Sequence, residues 1–496
     1  MELYFFFVMF VIPCMWYGAA NGSHDYMAIV GAAFIWSYWL LTGVPFSPWL
    51  LAIIVWFVLS VAWAAHYGNS INDLLMLLAL FTIILAVQSV DRVMVFLMGF
   101  IPACGMAGLE LYQWFRKHAP DRRGALYGNT NHSGIYYAIY FFIGLWLAKH
   151  ISPIFFPFSI LLLLGVIYSR CRAALIAVCV GAGIAVYVET HNMMLMAFFA
   201  VLGVIGILTQ RREDNSHLEA ARRAILGRWI IFNKTVRMIA ERPIWGWGLG
   251  SFRKEHQERT PAIATHRVHN DILEILFETG IVGLALVGMF LWSLSWSDPF
   301  LAAALVAGIV SSCFFFTFRE SHTAAPLMVL CGLSLPPVET VAIPPILAAI
   351  VFLAMLKILW THVARKVIAL FWWAKGSRQK SMDAQLKCLE NAVKWNPLTE
   401  YLARLAYVYS FKHPGESYEA ASRMVYGYDG RVVLWEAYDQ MARAAMRAGA
   451  VNVAYFFNQK ALALKPDFER GRQFEKGIKK IFEKLKEGKN GTVAVH

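Results

Sequence analysis

The residues with the clearest chemical potential are the triplet His269-Asn270-Asp271 and several arginines set at the edges of apolar runs. Asp271 and Glu274 have the spacing of a capping box, which predicts a helix starting here. Ile272, Ile275, Leu276 and Ile281 continue it as an apolar run. His269 therefore stands at a membrane surface, just ahead of a helix N-terminus, where free N–H groups and the dipole favour anions. A neutral histidine in that position can accept a proton from a hydroxyl. An ordinary surface histidine has the same spacing, so the pattern alone leaves both readings open.

Two further polar islands interrupt apolar sequence. Ser169-Arg170-Cys171-Arg172 is squeezed between two apolar runs. The planar guanidinium fork suits a pyrophosphate, although Arg170 and Arg172 could equally snorkel to lipid headgroups. The other island, Tyr127 to Ser133, contains Asn131 and His132 and sits at the mouth of an apolar segment.

A third arginine source is a helical pattern over 218–242. Ile225, Trp229, Phe232, Val236 and Ile239 form one apolar stripe, with Arg228, Lys234 and Arg242 off it. Pro243 ends this helix. Trp245-Gly246-Trp247-Gly248-Leu249-Gly250 follows, and no strand precedes it, which removes a dinucleotide loop. A turn that brings backbone close to a ligand or a helix fits Gly246 and Gly248 better.

The elements that position these residues are membrane spans. The 496-residue chain is 58% hydrophobic and 16% charged, with a mean hydropathy of +0.52. Water-soluble domains carry about 25% charge, whereas a bilayer core requires runs of about 20 apolar residues. Apolar segments fall at 3–20, 27–42, 49–65, 71–89, 92–113, 134–149, 152–168, 172–188, 193–209, 272–294, 299–317, 323–335 and 342–360. The predicted fold is all-α: a polytopic bundle of about 12–13 spans, with a long extracytoplasmic loop and a helical tail. The first segment carries Glu2 and no basic n-region, so it reads as an uncleaved span.

The expected division is an N-terminal bundle (1–209), a catalytic loop (210–271), C-terminal spans (272–362), a tail (376–482) and a frayed end (483–496). NAVKWNP at 391–397 and KALALKP at 460–466 lie 69 residues apart, with a break at 428–431 between them. That spacing predicts a tetratricopeptide-like tail, able to hold a protein partner. The net charge of +13 is concentrated after residue 360 and in the loop. It suits anionic lipid or phosphate rather than nucleic acid, since no nucleic-acid module is visible. Six of the seven cysteines lie in or beside apolar segments, without a CxxC, and read as small apolar fillers.

Taken together, Ser169-Arg170, Arg228, Pro243-Ile244-Trp245-Gly246-Trp247-Gly248 with Phe252, His269-Asn270, and Glu278-Thr279-Gly280-Ile281-Val282-Gly283 resemble the O-antigen ligase superfamily. That superfamily includes lipopolysaccharide O-antigen ligases, O-antigen polymerases and bacterial protein O-oligosaccharyltransferases. The resemblance covers about residues 70–335. It implies a multi-pass protein of the bacterial inner membrane, with its long loop and active site in the periplasm. It further implies transfer of a glycan from undecaprenyl pyrophosphate to an acceptor hydroxyl on lipid A–core, a protein or another glycan. No metal or cofactor is implied. His269 and Arg228 take the catalytic positions; Arg170, Arg172 and Arg242 are the pyrophosphate candidates; Asn270, Asn131, Gly246 and Gly248 support them. Arg172 departs from the pattern by standing so near Arg170, and Arg242 replaces a histidine frequent in relatives. Arg116, Lys117, Arg122, Arg123, Arg170, Arg172 and Arg319 would all face outward, against the positive-inside rule. An anionic carrier on that side gives them a partner.

Overall fold

The computed structural model describes residues 2–5, 9, 23–64, 67–117, 130–199, 201, 215–259, 267–315, 317–319, 321–379, 381–395, 435–447, 449–464 and 468–486. It is all-helical apart from one short ribbon, as composition predicts. Among the described residues, five helices are long and apolar enough to cross a membrane: Ser70–Ser89, Arg92–Arg116, Arg172–Thr190, Asp271–Trp292 and Pro345–Ser377. Five shorter apolar helices accompany them. The segments expected at 3–20 and 193–209 lie largely outside the described residues.

The chain divides into two compact units. The first, 1–252 with 267–356, holds most of the apolar helices. In chain order these are α1 (Ser23–Thr42), α2 (Pro48–Val61), α3 (Tyr67–Ala86), α4 (Arg92–Lys117), α5 (Thr130–His150), α6 (Phe155–Tyr168) and α7 (Arg172–Thr190). After them come α8 (Asn215–Glu241), α9 (Asp271–Trp292), α10 (Pro299–Ser312), α11 (Ser321–Ser334) and α12 (Pro345–Ile358). The ribbon pairs β1 (Val44–Phe46) antiparallel with β2 (Glu339–Val341), Pro45 opposite Thr340. It ties the end of α1 to the chain after α11, a link with no sequence signal.

Small residues set the packing, as expected where lipid is no less apolar than protein. Ala302, Ala303, Ala304 and Ala307 are buried along α10, which packs on α7 and α5. At Gly181 of α7 a side chain would meet the Ala303 carbonyl and the Phe142 ring. The outward faces of α2, α6 and α12 instead show Val55, Leu59, Ile160, Leu164, Ile346 and Leu353. Apolar outer faces of this kind are what a bilayer covers.

α8 departs from the expected stripe. Ile239 is buried, but Trp229 is 67% exposed and Val236 is exposed as well. The buried face runs through Ile231, Thr235, Met238 and Ile239, and α8 packs on α9. A helix with apolar residues on two faces has no unique protein-facing side in its periodicity, so the stripe alone pointed to the wrong one.

The second unit is 253–266 with 357–496. In it α13 (Arg365–Ser377) packs on α14 (Met382–Trp395) around Ala369, Ala392 and Trp372. α15 (Trp435–Arg447) and α16 (Val451–Leu464) form a helical hairpin through Gly449, whose φ of 73° fits a glycine C-cap. α17 (Glu469–Lys486) closes over them through Phe474 and Ile478. The sequence markers of the repeat at Pro397, 428–431 and Pro466 lie outside the described residues.

Candidate functional site

His269 is built by the start of α9. The N-cap is Asn270, not Asp271: its side chain accepts from the Leu273 N–H at 2.9 Å, and its Nδ2 donates to the Cys313 carbonyl at 2.9 Å. Glu274 reaches back past the cap and accepts the Val268 N–H at 3.0 Å. Asp271 is buried and accepts the Phe318 N–H at 2.9 Å. The capping-box spacing thus foretold the helix but misassigned its cap. The cause is His269, whose φ of 62° is left-handed and turns the chain one residue early. Such a backbone costs a non-glycine residue about 1–2 kcal/mol, and the bonds on either side supply it.

Phe315 holds the imidazole from one side, with ring centroids 6.2 Å apart. The same ring meets His132 edge-on at 4.7 Å. The first turn of α5 is therefore brought to His269. Burial pulls the proton affinity of His269 down to about 4, the Arg228 charge adds to that, and Glu274 partly opposes it. His269 is neutral at neutral pH and able to take a proton.

Arg228 lies within electrostatic reach of both His269 and the Cys171 thiol. This draws the 169–172 turn into the same neighbourhood. There the Ser169 hydroxyl donates to the Val166 carbonyl at 2.7 Å and accepts the Cys171 N–H at 3.2 Å. Arg170 has a φ of 53°. The turn rests on α5: the Cys171 Sγ donates to the Asn131 carbonyl, and Gly134 leaves room for Ser169 and Cys171. Arg170, Arg172 and Arg228 are exposed. Among the described residues none of the three has an ion pair.

Gly246 and Gly248 have a different place. α9 is broken at Gly280, where φ is 68° and ψ is −173°. The Trp247 and Gly248 N–H groups donate to the Phe277 and Glu278 carbonyls at 2.9 and 2.8 Å, and the Ile281 N–H donates to the Pro243 carbonyl at 2.9 Å. The Gly/Trp turn thus repairs a helix break that would otherwise leave polar backbone unsatisfied at membrane depth. Gly246 and Gly248 have φ of 70° and 92°, and a side chain at either would strike backbone. Arg242 lies over the Trp247 ring at 4.2 Å, bracing the turn. No described contact joins it to His269.

The sequence reading missed a largely buried charge cluster around the turn that carries His269. Arg267 donates to Asp73 at 3.0 and 3.2 Å and to Glu274 at 3.0 Å. Arg319 pairs with Asp73 at 3.3 Å, with Glu274 at 3.8 Å and with Glu278 at 2.5 Å. The Gly250 N–H also donates to Glu278, at 2.9 Å. Burial disfavours both guanidinium charges, yet Asp73 with Glu274, and Glu278 with Glu274, hold Arg267 and Arg319 above the usual arginine range. Also missed was Glu110 of α4, buried and accepting from the Tyr137 hydroxyl at 2.9 Å. Carboxylates inside apolar helices were the available signal, since a span tolerates few; Asp73 and Glu110 each interrupt one. Among the described residues no group of three or more His, Cys, Asp or Glu is arranged to hold a metal ion.

A helical membrane protein with a neutral histidine in electrostatic reach of an exposed arginine has the parts for acid–base work on an anionic substrate. Residues 157–288 match the O-antigen ligase family. The matched stretch contains Arg170, Arg172, Arg228, Arg242, Gly246, Gly248, His269 and Asn270. Over it, the chain is similar to membrane glycosyltransferases of the O-antigen ligase and polymerase type, which bears out the resemblance read from the motifs. No curated protein matches the chain.

Proposed function

We propose that the protein transfers a glycan from undecaprenyl pyrophosphate to an acceptor hydroxyl, as an O-antigen ligase does. The acceptor oxygen attacks the anomeric carbon, the bond from that carbon to the phosphate oxygen breaks, and undecaprenyl pyrophosphate leaves. His269 takes the hydroxyl proton. Arg228, with Arg170 and Arg172, stabilises the charge that develops on the departing pyrophosphate. Arg242 supports the Gly/Trp turn in this reading. The site faces the periplasm from the bacterial inner membrane, where exposed arginines meet the anionic carrier, and no metal takes part.

The observation that carries this reading is the neutral His269 at the head of α9 with Arg228 beside it. The break in α9 could suggest a transporter, since broken spans line many transport sites. Here the 243–248 turn fills the break with its own N–H groups, so it offers no open site. A protein acceptor, or polymerisation of glycan repeats, is the second reading; the helical hairpin of the second unit favours the protein, because stacked helical pairs hold peptides.

The test is transfer in vitro. Purified protein in nanodiscs is mixed with the lipid-linked glycan and, in separate reactions, lipid A–core, a pilin and a free glycan repeat, with a chelator present throughout. Lipid A–core gaining the glycan supports the ligase. Gain by the pilin or the repeat replaces it with the second reading. No transfer to any of them, with the donor intact, contradicts the proposal.

A further inference from the structure

We propose that Asp73 is a positioning residue for His269, acting through Arg267 and Glu274. This rests on reading His269 as the acceptor base.

His269 is held from both sides in a backbone conformation that it would not keep by itself. Two residues before it, Arg267 is gripped by Asp73 and Glu274. One residue before it, the Val268 N–H is bound by the other oxygen of Glu274. One residue after it, Asn270 is fixed to Leu273 and to Cys313. Glu274 is thus the hub of the turn, and its position is set by the two arginines.

Asp73 is the outside anchor of that arrangement. It belongs to α3, 194 residues from Arg267, while Glu274 belongs to the helix that His269 begins. It binds both arginines: two oxygens to Arg267, one to Arg319. Glu274 by itself could keep Arg267 paired, but could not register the turn against the rest of the bundle. Asp73 does that, tying the turn to a half-buried part of α3. A mere stability role would be served as well by apolar packing, which often replaces buried ion pairs without loss.

Removing the anchor while keeping the hub shifts His269 without unfolding the site. Asp73→Asn keeps the shape and one acceptor oxygen, and leaves Arg267–Glu274 and Arg319–Glu278 in place. Displacement of a catalytic group by about 1 Å can cost about 100-fold in rate. The expected result is a fall in kcat towards that size with donor KM unchanged, and partial recovery in Asp73→Glu.

The direct readout is the rate at which diethyl pyrocarbonate modifies His269, followed by peptide mass spectrometry across pH. In the wild type His269 reacts as a shielded neutral imidazole down to low pH. In Asp73→Asn it reacts faster, and its midpoint moves up towards the ordinary histidine value. Arg267→Lys, which keeps the charge but loses the fork, shifts both measures the same way and decides the matter if Asp73→Asn does not fold. Wild-type kcat and wild-type modification of His269 in a monodisperse variant overturn the proposal. So does a variant whose kcat falls while His269 modification stays unchanged. Modification reports on His269 itself, so the anchor is tested even if His269→Ala leaves transfer intact and the functional reading fails.

Discussion

Two sets of arginines, one around the turn that carries His269 and one reaching it through Arg228, differ in almost every respect. Arg267 and Arg319 are gripped by Asp73, Glu274 and Glu278. Arg170, Arg172 and Arg228 are exposed and, among the described residues, have no carboxylate partner. The first set has its counter-charge built in, so its work is to hold backbone in place. The second has none, and an anion from outside can supply it. The side chain is the same in both; the surrounding carboxylates decide whether it is architecture or binding surface.

The contrast can be broken from either end. Arg319→Leu should have the largest effect, because it leaves the buried Glu278 without its counter-charge. A loss of about 3–5 kcal/mol is expected, read as a lowered Tm of the detergent-solubilised protein. An unchanged Tm would remove the architectural role. Arg228→Ala should leave Tm alone and lower kcat about 10²–10³-fold, the usual cost of removing one donor from a developing oxyanion. Loss of Tm in that variant would put Arg228 in the wrong set.

Gly280→Ala probes the helix break, where the backbone is left-handed and a side chain would meet the Ile244 carbonyl. A destabilisation of about 1–3 kcal/mol is expected by thermal unfolding. Arg242→Ala is the smallest: loss of its stack on Trp247 costs about 0.5–1 kcal/mol, and transfer changes little. A large transfer defect there would return Arg242 to the pyrophosphate site.

The pH dependence sharpens the same contrast. The folded His269 titrates near 4 against an ordinary value of 6.5. Between those values the unfolded chain binds the extra proton, so stability falls as pH drops through that window. The transfer rate should stay level from pH 7 to about 5 and fall as pH approaches 4, where His269 becomes charged. A rate that halves near 6.5 would mean an unshielded histidine.

Much of the candidate site was legible because its signals are local. His269 ahead of a helix start, Pro243 at a helix end, and arginines pinched between apolar runs all announce themselves within a few residues. The fold class followed from hydrophobic run length. What stayed hidden is what depends on distance in the chain. Asp73 meets Arg267 across 194 residues, and nothing in either neighbourhood names the other. The loop at 243–248 pairs with 277–281 through backbone N–H groups, so whether its glycines meet a ligand or a helix is decided by residues about 30 positions further on. The face that α8 turns to α9 was misread because lipid and protein both accept apolar residues. Asn270 displaced Asp271 as cap because a left-handed histidine is invisible in residue types.

Glycan transfer by His269→Ala, compared with wild type, tests the central claim most directly. Both proteins are taken in nanodiscs at neutral pH, with lipid-linked glycan and the acceptor that the wild type uses. A fall in kcat of about 10²–10⁴-fold, the range for a lost general base, with Tm unchanged, is the predicted result. Transfer at the wild-type rate by a folded His269→Ala protein would contradict it.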